Sequence, residues 1–319
     1  MPQKPRRLQE GDLVAVVAPA SAPPQADLID KAIERLKELG FRVKPARHVR
    51  ARWGFLAGGD AGRARDINAA FADPRIRGVF CVRGGYGSGR LLRLIDFQTV
   101  RANPKVFVGY SDITALHCAF LKAAGMTSFH GPMLTSDLIK PETPPYTLDH
   151  LHRAITTAEA PRSLCADYPD RGQTVEIIRR GRATGPLVGG NLSLLCTMIG
   201  TPWQPPFKGR ILFLEDVDEK PYGLDRNLTH LLNAGVLEKV AGVALGQFAD
   251  CVDPKAADAK EYRQTTADVL RERLHGLGVP VVAGLPFGHV PFNATLPVGA
   301  RATLDAYKGD LILEEAGVK

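Results

Sequence analysis

Val106-Phe107-Val108-Gly109-Tyr110-Ser111-Asp112-Ile113-Thr114 reads as a buried strand, Val106–Tyr110, that turns directly into a helix over Ile113–Ala124 ending at Gly125. A short apolar run rich in β-branched and aromatic residues suits a strand covered on both faces. The helix that follows with no linker suggests a parallel sheet, where each strand is answered by a crossover helix. A serine on so sharp a turn points its hydroxyl outward, and the amide of the next residue, Asp112, lies at the helix N-terminus. The match to G-x-S-x-G is partial, because Ile113 stands where the second glycine belongs. A plainer reading has Ser111 or Asp112 as a helix cap.

Outward from this stretch the alternation repeats. Toward the N-terminus come a strand at Leu13–Ala18, a helix at Ala26–Leu39 stopped by Gly40, and a strand at Phe41–Pro45. A helix at Ala61–Phe71, a strand at Gly78–Val82 and a helix at Arg90–Ile95 follow. Leu13–Ala18 is read as a buried strand and not as a signal peptide. It is short, Asp12 abuts it, and Pro19, Pro23 and Pro24 follow. No run approaches the ~20 apolar residues of a membrane span.

Toward the C-terminus the pattern breaks at the proline-rich Lys140–Tyr146, and a helix is expected at Leu148–Thr157. Beyond about residue 170 strands with Gly/Pro turns dominate: Thr174–Arg179, Ile211–Leu214, Val240–Gly246, Val281–Ala283, Ala302–Asp305 and Leu311–Leu313. The expected division is residues 1–168, α/β with a parallel sheet, and 169–319, a smaller mixed α/β domain.

Composition narrows the function classes. Hydrophobic residues make up 45% and charged residues 24% of 319, the balance of a globular chain. The net charge is +7, but the one tight basic run is Lys4, Arg6 and Arg7. A nucleic-acid protein would carry a basic stripe with interleaved aromatics, so no nucleic-acid partner is expected. Five cysteines, with no CxxC pair, argue against a disulfide framework or zinc knuckle and suit a reducing, cytoplasmic setting.

Three further segments carry chemistry. Val82-Arg83-Gly84-Gly85-Tyr86-Gly87-Ser88-Gly89-Arg90 lies between a strand and a helix, where glycines let amides approach an anion. It is neither a dinucleotide fingerprint nor a Walker loop, so a phosphate cradle, an oxyanion amide and a flexible turn all remain open. Loops at the C-terminal ends of parallel strands converge on one crevice, which favours a site shared with Ser111. Ile211-Leu212-Phe213-Leu214 runs into Glu215-Asp216-Val217-Asp218-Glu219. A carboxylate there can orient a histidine, bind a divalent metal, pair for glycoside hydrolysis or simply be solvated. Pro286-Phe287-Gly288-His289-Val290-Pro291 positions a histidine in a loop, suited to a general base. His130, before Gly131-Pro132-Met133, is the second choice of base. The absence of H-E-x-x-H argues against metal hydrolysis.

These blocks, with Val17-Ala18-Pro19, Gly189-Gly190-Asn191-Leu192 and Thr295-Leu296-Pro297-Val298-Gly299, resemble the LD-carboxypeptidase family over nearly the whole chain. That family also contains the microcin C self-immunity peptidases. The resemblance implies a flavodoxin-like N-terminal domain carrying the nucleophile Ser111 and a C-terminal domain carrying Glu215 and His289 as acid and base. It implies an oxyanion hole from the backbone amides of Gly85 and Asp112, no metal or other cofactor, and a homodimer. It implies release of terminal D-alanine from murein tetrapeptides during cytoplasmic cell-wall recycling. Arg83 and Tyr86, beside the proposed hole, are candidates for substrate binding, with Arg83 facing a free carboxylate. Two other functions are carried forward. One is immunity-type hydrolysis of peptidyl or aminoacyl nucleotides, for which Trp203 is the candidate stacking aromatic. The other is non-catalytic binding of a nucleotide or sugar phosphate.

Overall fold

The computed structural model describes residues 2–160, 162–253 and 264–319. Strand Leu13–Val17 is buried from Val14 onward and lies inside a six-stranded sheet. Across that sheet the order is Arg42–Pro45, Leu13–Val17, Ile76–Cys81, Val106–Gly109, Ser128–His130 and Leu296–Val298. The first five are parallel, and in chain order they run 2-1-3-4-5, the doubly wound flavodoxin-like arrangement. The sixth, Leu296–Val298, returns from late in the chain and pairs antiparallel with Ser128–His130. Sequence reading anticipated neither of these last two strands, which are only three residues each.

The second sheet has eight strands. Its centre is parallel: Arg182–Asn191, Ile211–Val217, Gly242–Ala249 and Val281–Ala283. Antiparallel strands flank it: Glu176–Arg179 on one side, and Arg301–Asp305, Asp310–Leu313 and Arg162–Ser163 on the other. The architecture is therefore mixed α/β with two sheets, as expected.

Two local expectations are corrected. Arg90–Ile95 is not an α-helix: a 3-10 turn, Ser88–Leu91, gives way to turns, and the α-helix is Phe97–Ala102. Asp96 decides this, since its carboxylate accepts from the amides of Gln98 (3.1 Å) and Thr99 (3.0 Å) and starts the helix there. The helix after Ser111 is three pieces: 3-10 Ser111–Ile113, α Thr114–Ala119 and π Phe120–Ala124. Arg182–Asn191, to which sequence reading assigned no element, is a ten-residue strand despite Gly185, Pro186, Gly189 and Gly190.

Those glycines are there for close approach. A Cβ on Gly189 would sit 1.8 Å from the Phe213 carbonyl oxygen, and one on Gly190 would sit 2.4 Å from Thr114 Oγ1. The strand thus packs bare backbone against the helix that follows Ser111. The Asn191 amide donates to Thr114 Oγ1 at 3.0 Å across the same contact. Gly190→Ala is expected to lose roughly 2–4 kcal/mol, from overpacking, a φ of 139° and the displaced hydrogen bond. Urea unfolding of the variant beside wild type measures it.

Candidate active site

Ser111 has a φ of 62°, one of three non-glycine residues with positive φ among the described residues. Such backbone costs of order 1–3 kcal/mol and persists only where its surroundings enforce it. Here they do. Strand Val106–Gly109 delivers the residue from one side and the helix leaves on the other. The missing Cβ of Gly109 leaves room for Ile113, which would lie 3.0 Å from it.

The glycine loop backs directly onto this turn. A Cβ on Gly84 would stand 2.9 Å from Ser111 Cβ and 3.0 Å from its Oγ. The Ser88 amide donates to Asp112 Oδ2 at 2.7 Å, and the Ser88 hydroxyl to the Asp112 carbonyl at 2.5 Å. Burial raises the Asp112 carboxyl above its ordinary range, against the donors of Ser88 and Gly87 and the charge of Arg63. Gly85 has a φ of 98°, and any Cβ there would meet Ser21 Oγ at 2.5 Å. Its amide donates to no protein acceptor among the described residues. The Asp112 amide lies in the first helical turn, where amides lack an intrahelical partner.

Arg63 ties this end of the sheet together. It is buried and donates to the carbonyls of Gly58 (3.2 Å), Gly87 (2.9 Å) and Pro19, and pairs with Asp60 at 2.5 Å. Sequence reading passed over it, because one arginine in a helix carries no sign that its partners lie up to 44 residues away.

From the second sheet, Glu215 follows the apolar run Ile211–Leu214 and is itself buried on strand Ile211–Val217, and His289 comes from the loop after Val281–Ala283. His289 Nδ1 and Glu215 Oε2 are 2.6 Å apart. A Cβ on Gly288 would fall 2.9 Å from Glu215 Cβ, so glycine there lets the two meet. The Gly288 amide donates to Asn293 Oδ1 at 3.1 Å, closing the loop. Burial pulls the His289 imidazole down, but the charge and hydrogen bond of Glu215 outweigh it and hold its pKa above the usual value. Burial raises Glu215, and His289 offsets part of that. The His289 ring packs on that of Tyr110, centroids 4.7 Å apart, so the pair reaches the residue just before Ser111.

The other acids divide by environment. Asp216 is buried and saturated: Oδ1 accepts from Asn191 Nδ2 (2.7 Å), and Oδ2 from the amide (3.0 Å) and hydroxyl (2.8 Å) of Ser193. It anchors the strand end and has no lone pair left for glycosidase work. Asp218 is exposed. No group of three His, Cys, Asp or Glu side chains among the described residues can hold a metal ion.

His130 is fully buried and lowered well below its ordinary pKa by burial, and neither ring nitrogen has a partner among the described residues. It is a neutral ring packed between Tyr110 and Phe213. Arg83 is half-buried beside Gly85 and makes no ion pair among the described residues. Tyr86 is exposed and meets the exposed Phe55 edge-on at 5.6 Å. Trp203 packs against the core.

Together the two sheets and the segments they carry define a two-sheet α/β protein. The LD-carboxypeptidase N-terminal domain matches residues 14–131, and the LD-carboxypeptidase C-terminal domain matches residues 184–304. The chain belongs to the LD-carboxypeptidase family. A probable murein peptide carboxypeptidase of Bacillus subtilis (strain 168) is 37% identical over 315 residues, covering 99% of this chain and 95% of that protein. The crystal structure of a muramoyltetrapeptide carboxypeptidase from Oxalobacter formigenes superposes with a TM-score of 0.83 at 35% identity, covering 95% of this chain and 98% of that one. The microcin C7 self-immunity protein MccF shares the fold, with a TM-score of 0.89 at 24% identity and full coverage of both chains. Among the described residues no helix is long and apolar enough to cross a membrane.

Proposed function

We propose that this chain is a serine carboxypeptidase that hydrolyses the L,D-amide bond releasing terminal D-alanine from murein tetrapeptides. Residues 1–168 supply the nucleophile Ser111, and residues 169–319 supply the base His289 and its orienting acid Glu215. The observation that carries this reading is the 2.6 Å Glu215–His289 contact, packed against the residue that precedes a strained serine. The Bacillus and Oxalobacter relatives, by name, support the substrate class.

On this reading His289 Nε2 takes the Ser111 proton as Oγ attacks the amide carbonyl. Glu215 holds Nδ1 protonated and stabilises the imidazolium. The carbonyl oxygen becomes an oxyanion received by the amides of Gly85 and Asp112, a contribution of about 3–4 kcal/mol per donor in such sites. The imidazolium then protonates the departing D-alanine nitrogen, and water admitted by the same base hydrolyses the acyl-enzyme. The enzyme works in the cytoplasm on muropeptides, without metal, as a homodimer. Its five cysteines are all unpaired, which suits that compartment.

Incubation with a murein tetrapeptide tests the reading directly. Loss of the mass of one alanine supports it, and an unchanged peptide refutes it. For the immunity-type alternative, the likeness to MccF at 24% identity supports the fold alone, and Trp203, its candidate stacking aromatic, is partly buried against the core.

Arg83, without an ion pair among the described residues and beside the oxyanion loop, is the group for the substrate carboxylate, and Tyr86 lies on the same rim. Charge-assisted hydrogen bonds of this kind contribute about 1.5–3 kcal/mol. Arg83→Met is therefore expected to lower kcat/KM by roughly 10–100-fold, mostly through KM. Wild type should prefer a tetrapeptide acid to its C-terminal amide, and the variant should treat the two alike.

A further inference from the structure

Tyr110 and Asp137 have no part in the mechanism above, yet both face its base. The Tyr110 ring lies against His289 at 4.7 Å, tilted 57°, and against His130 at 5.8 Å. Its hydroxyl donates to Asp137 Oδ1 at 3.3 Å. Asp137 Oδ2 accepts the Met133 amide at 2.8 Å, and its carbonyl accepts the Thr143 hydroxyl at 2.6 Å. The carboxylate is thus held from both ends. It sits on the π-helical turn Leu134–Leu138, a rare geometry that recurs at functional sites.

We propose that Tyr110 and Asp137 form a second brace on the general base, supplied by the first sheet to a histidine delivered by the second. Glu215 grips Nδ1. Tyr110 packs on the ring, limits its rotation and presents a π face to the imidazolium formed during turnover. Asp137 fixes the Tyr110 hydroxyl and adds negative charge that favours that cation. Both are positioning residues, and the inference rests on His289 being the base. The groups facing His289 are Glu215 and Asp216 from strand Ile211–Val217, Asp137 from the π turn, Tyr110 from the serine turn, and neutral His130 from strand Ser128–His130. Burial raises the Asp137 carboxyl above its ordinary range, against the Met133 amide, the charge of Lys140, the Tyr110 hydroxyl and the charge of His289.

The sign of the effect follows from charge. Removing a carboxylate near an imidazole disfavours the protonated ring and lowers its pKa, so activity persists to lower pH. Asp137→Asn is expected to move the acid limb of kcat/KM down by about half a pH unit to one unit. Tyr110→Leu is expected to cut kcat on the order of 100-fold with KM within about threefold, and Tyr110→Phe, which keeps the ring, to recover about tenfold of that. Circular dichroism checks folding, and if Tyr110→Leu does not fold, the Asp137→Asn profile and Tyr110→Phe kinetics decide. A folded Asp137→Asn whose acid limb coincides with that of wild type overturns the brace. Ser111→Ala in the same series separates the two readings. Turnover retained there removes the base assignment and the brace together, whereas a dead Ser111→Ala with an unmoved Asp137→Asn profile removes the brace alone.

Discussion

Ser111→Gly is expected to abolish turnover while making the protein more stable than Ser111→Ala. Both variants remove the hydroxyl, so each should lose kcat on the order of 10^5–10^6, the scale for deleting a triad nucleophile. They differ in backbone. At a φ of 62° an L-residue carries a steric cost between Cβ and the neighbouring carbonyl oxygen, whereas glycine does not. Glycine gives back part of that gain as unfolded-chain entropy, so a net difference of about 1 kcal/mol is expected between the two variants. Thermal or urea unfolding reads it against a turnover assay with murein tetrapeptide. A variant that keeps one-hundredth of wild-type kcat shows that Ser111 is not the nucleophile. Equal stability of the two variants shows that the serine turn stores no strain.

Glu215→Gln is the second large effect. The amide keeps the shape of the carboxylate but no longer favours the Nδ1-protonated tautomer or the imidazolium. A loss of roughly 10^3–10^4 in kcat is expected. The pH profile should move as well. In wild type, burial lowers His289 and Glu215 overrides it, so with His289 as the proposed base the acid limb is expected above the ordinary histidine value. Without the carboxylate the burial effect is left opposed only by the more distant Asp216 and Asp137, and the limb should shift to lower pH. Stability should suffer little, because neutral glutamine beside neutral imidazole strands no buried charge. A Glu215→Gln enzyme with wild-type kcat and an unmoved acid limb rules out the carboxylate as the orienting group.

Much of this was readable in the chain. The apolar runs Leu13–Ala18, Gly78–Val82, Val106–Tyr110 and Ile211–Leu214 overlap strands Leu13–Val17, Ile76–Cys81, Val106–Gly109 and Ile211–Val217, and helix Leu28–Glu38, read as Ala26–Leu39, shows its period through Ile29, Ala32, Ile33 and Leu36. Ser111, Glu215 and His289 each stand where an apolar run meets a turn, so their positions invited chemistry. Other features gave no such sign. Arg182–Asn191 looks like a loop, because its glycines are chosen for contact with Phe213 and Thr114 and not for strand propensity. Ser128–His130 and Leu296–Val298 are too short to show a period: the first is held by Val106–Gly109 on one side and by the second on the other. Asp96 starts the helix Phe97–Ala102, a capping role that the apolar texture of Arg90–Ile95 does not reveal.

The division has a physical cause. Periodicity, caps and turn residues act over a few neighbours, so the sequence by itself determined the parallel α/β sheet, the strand-to-helix turn at Ser111 and the acid and histidine at loop ends. Only the tertiary structure decided that Arg63 would knit Pro19, Gly58 and Gly87 together, that Glu215 and His289 would meet across 74 positions of chain, and that Tyr110 would lie under that histidine. The first two depend on how distant segments meet within one sheet's own layer and the third on how the two sheets pack, and the burial that holds them belongs to no single segment.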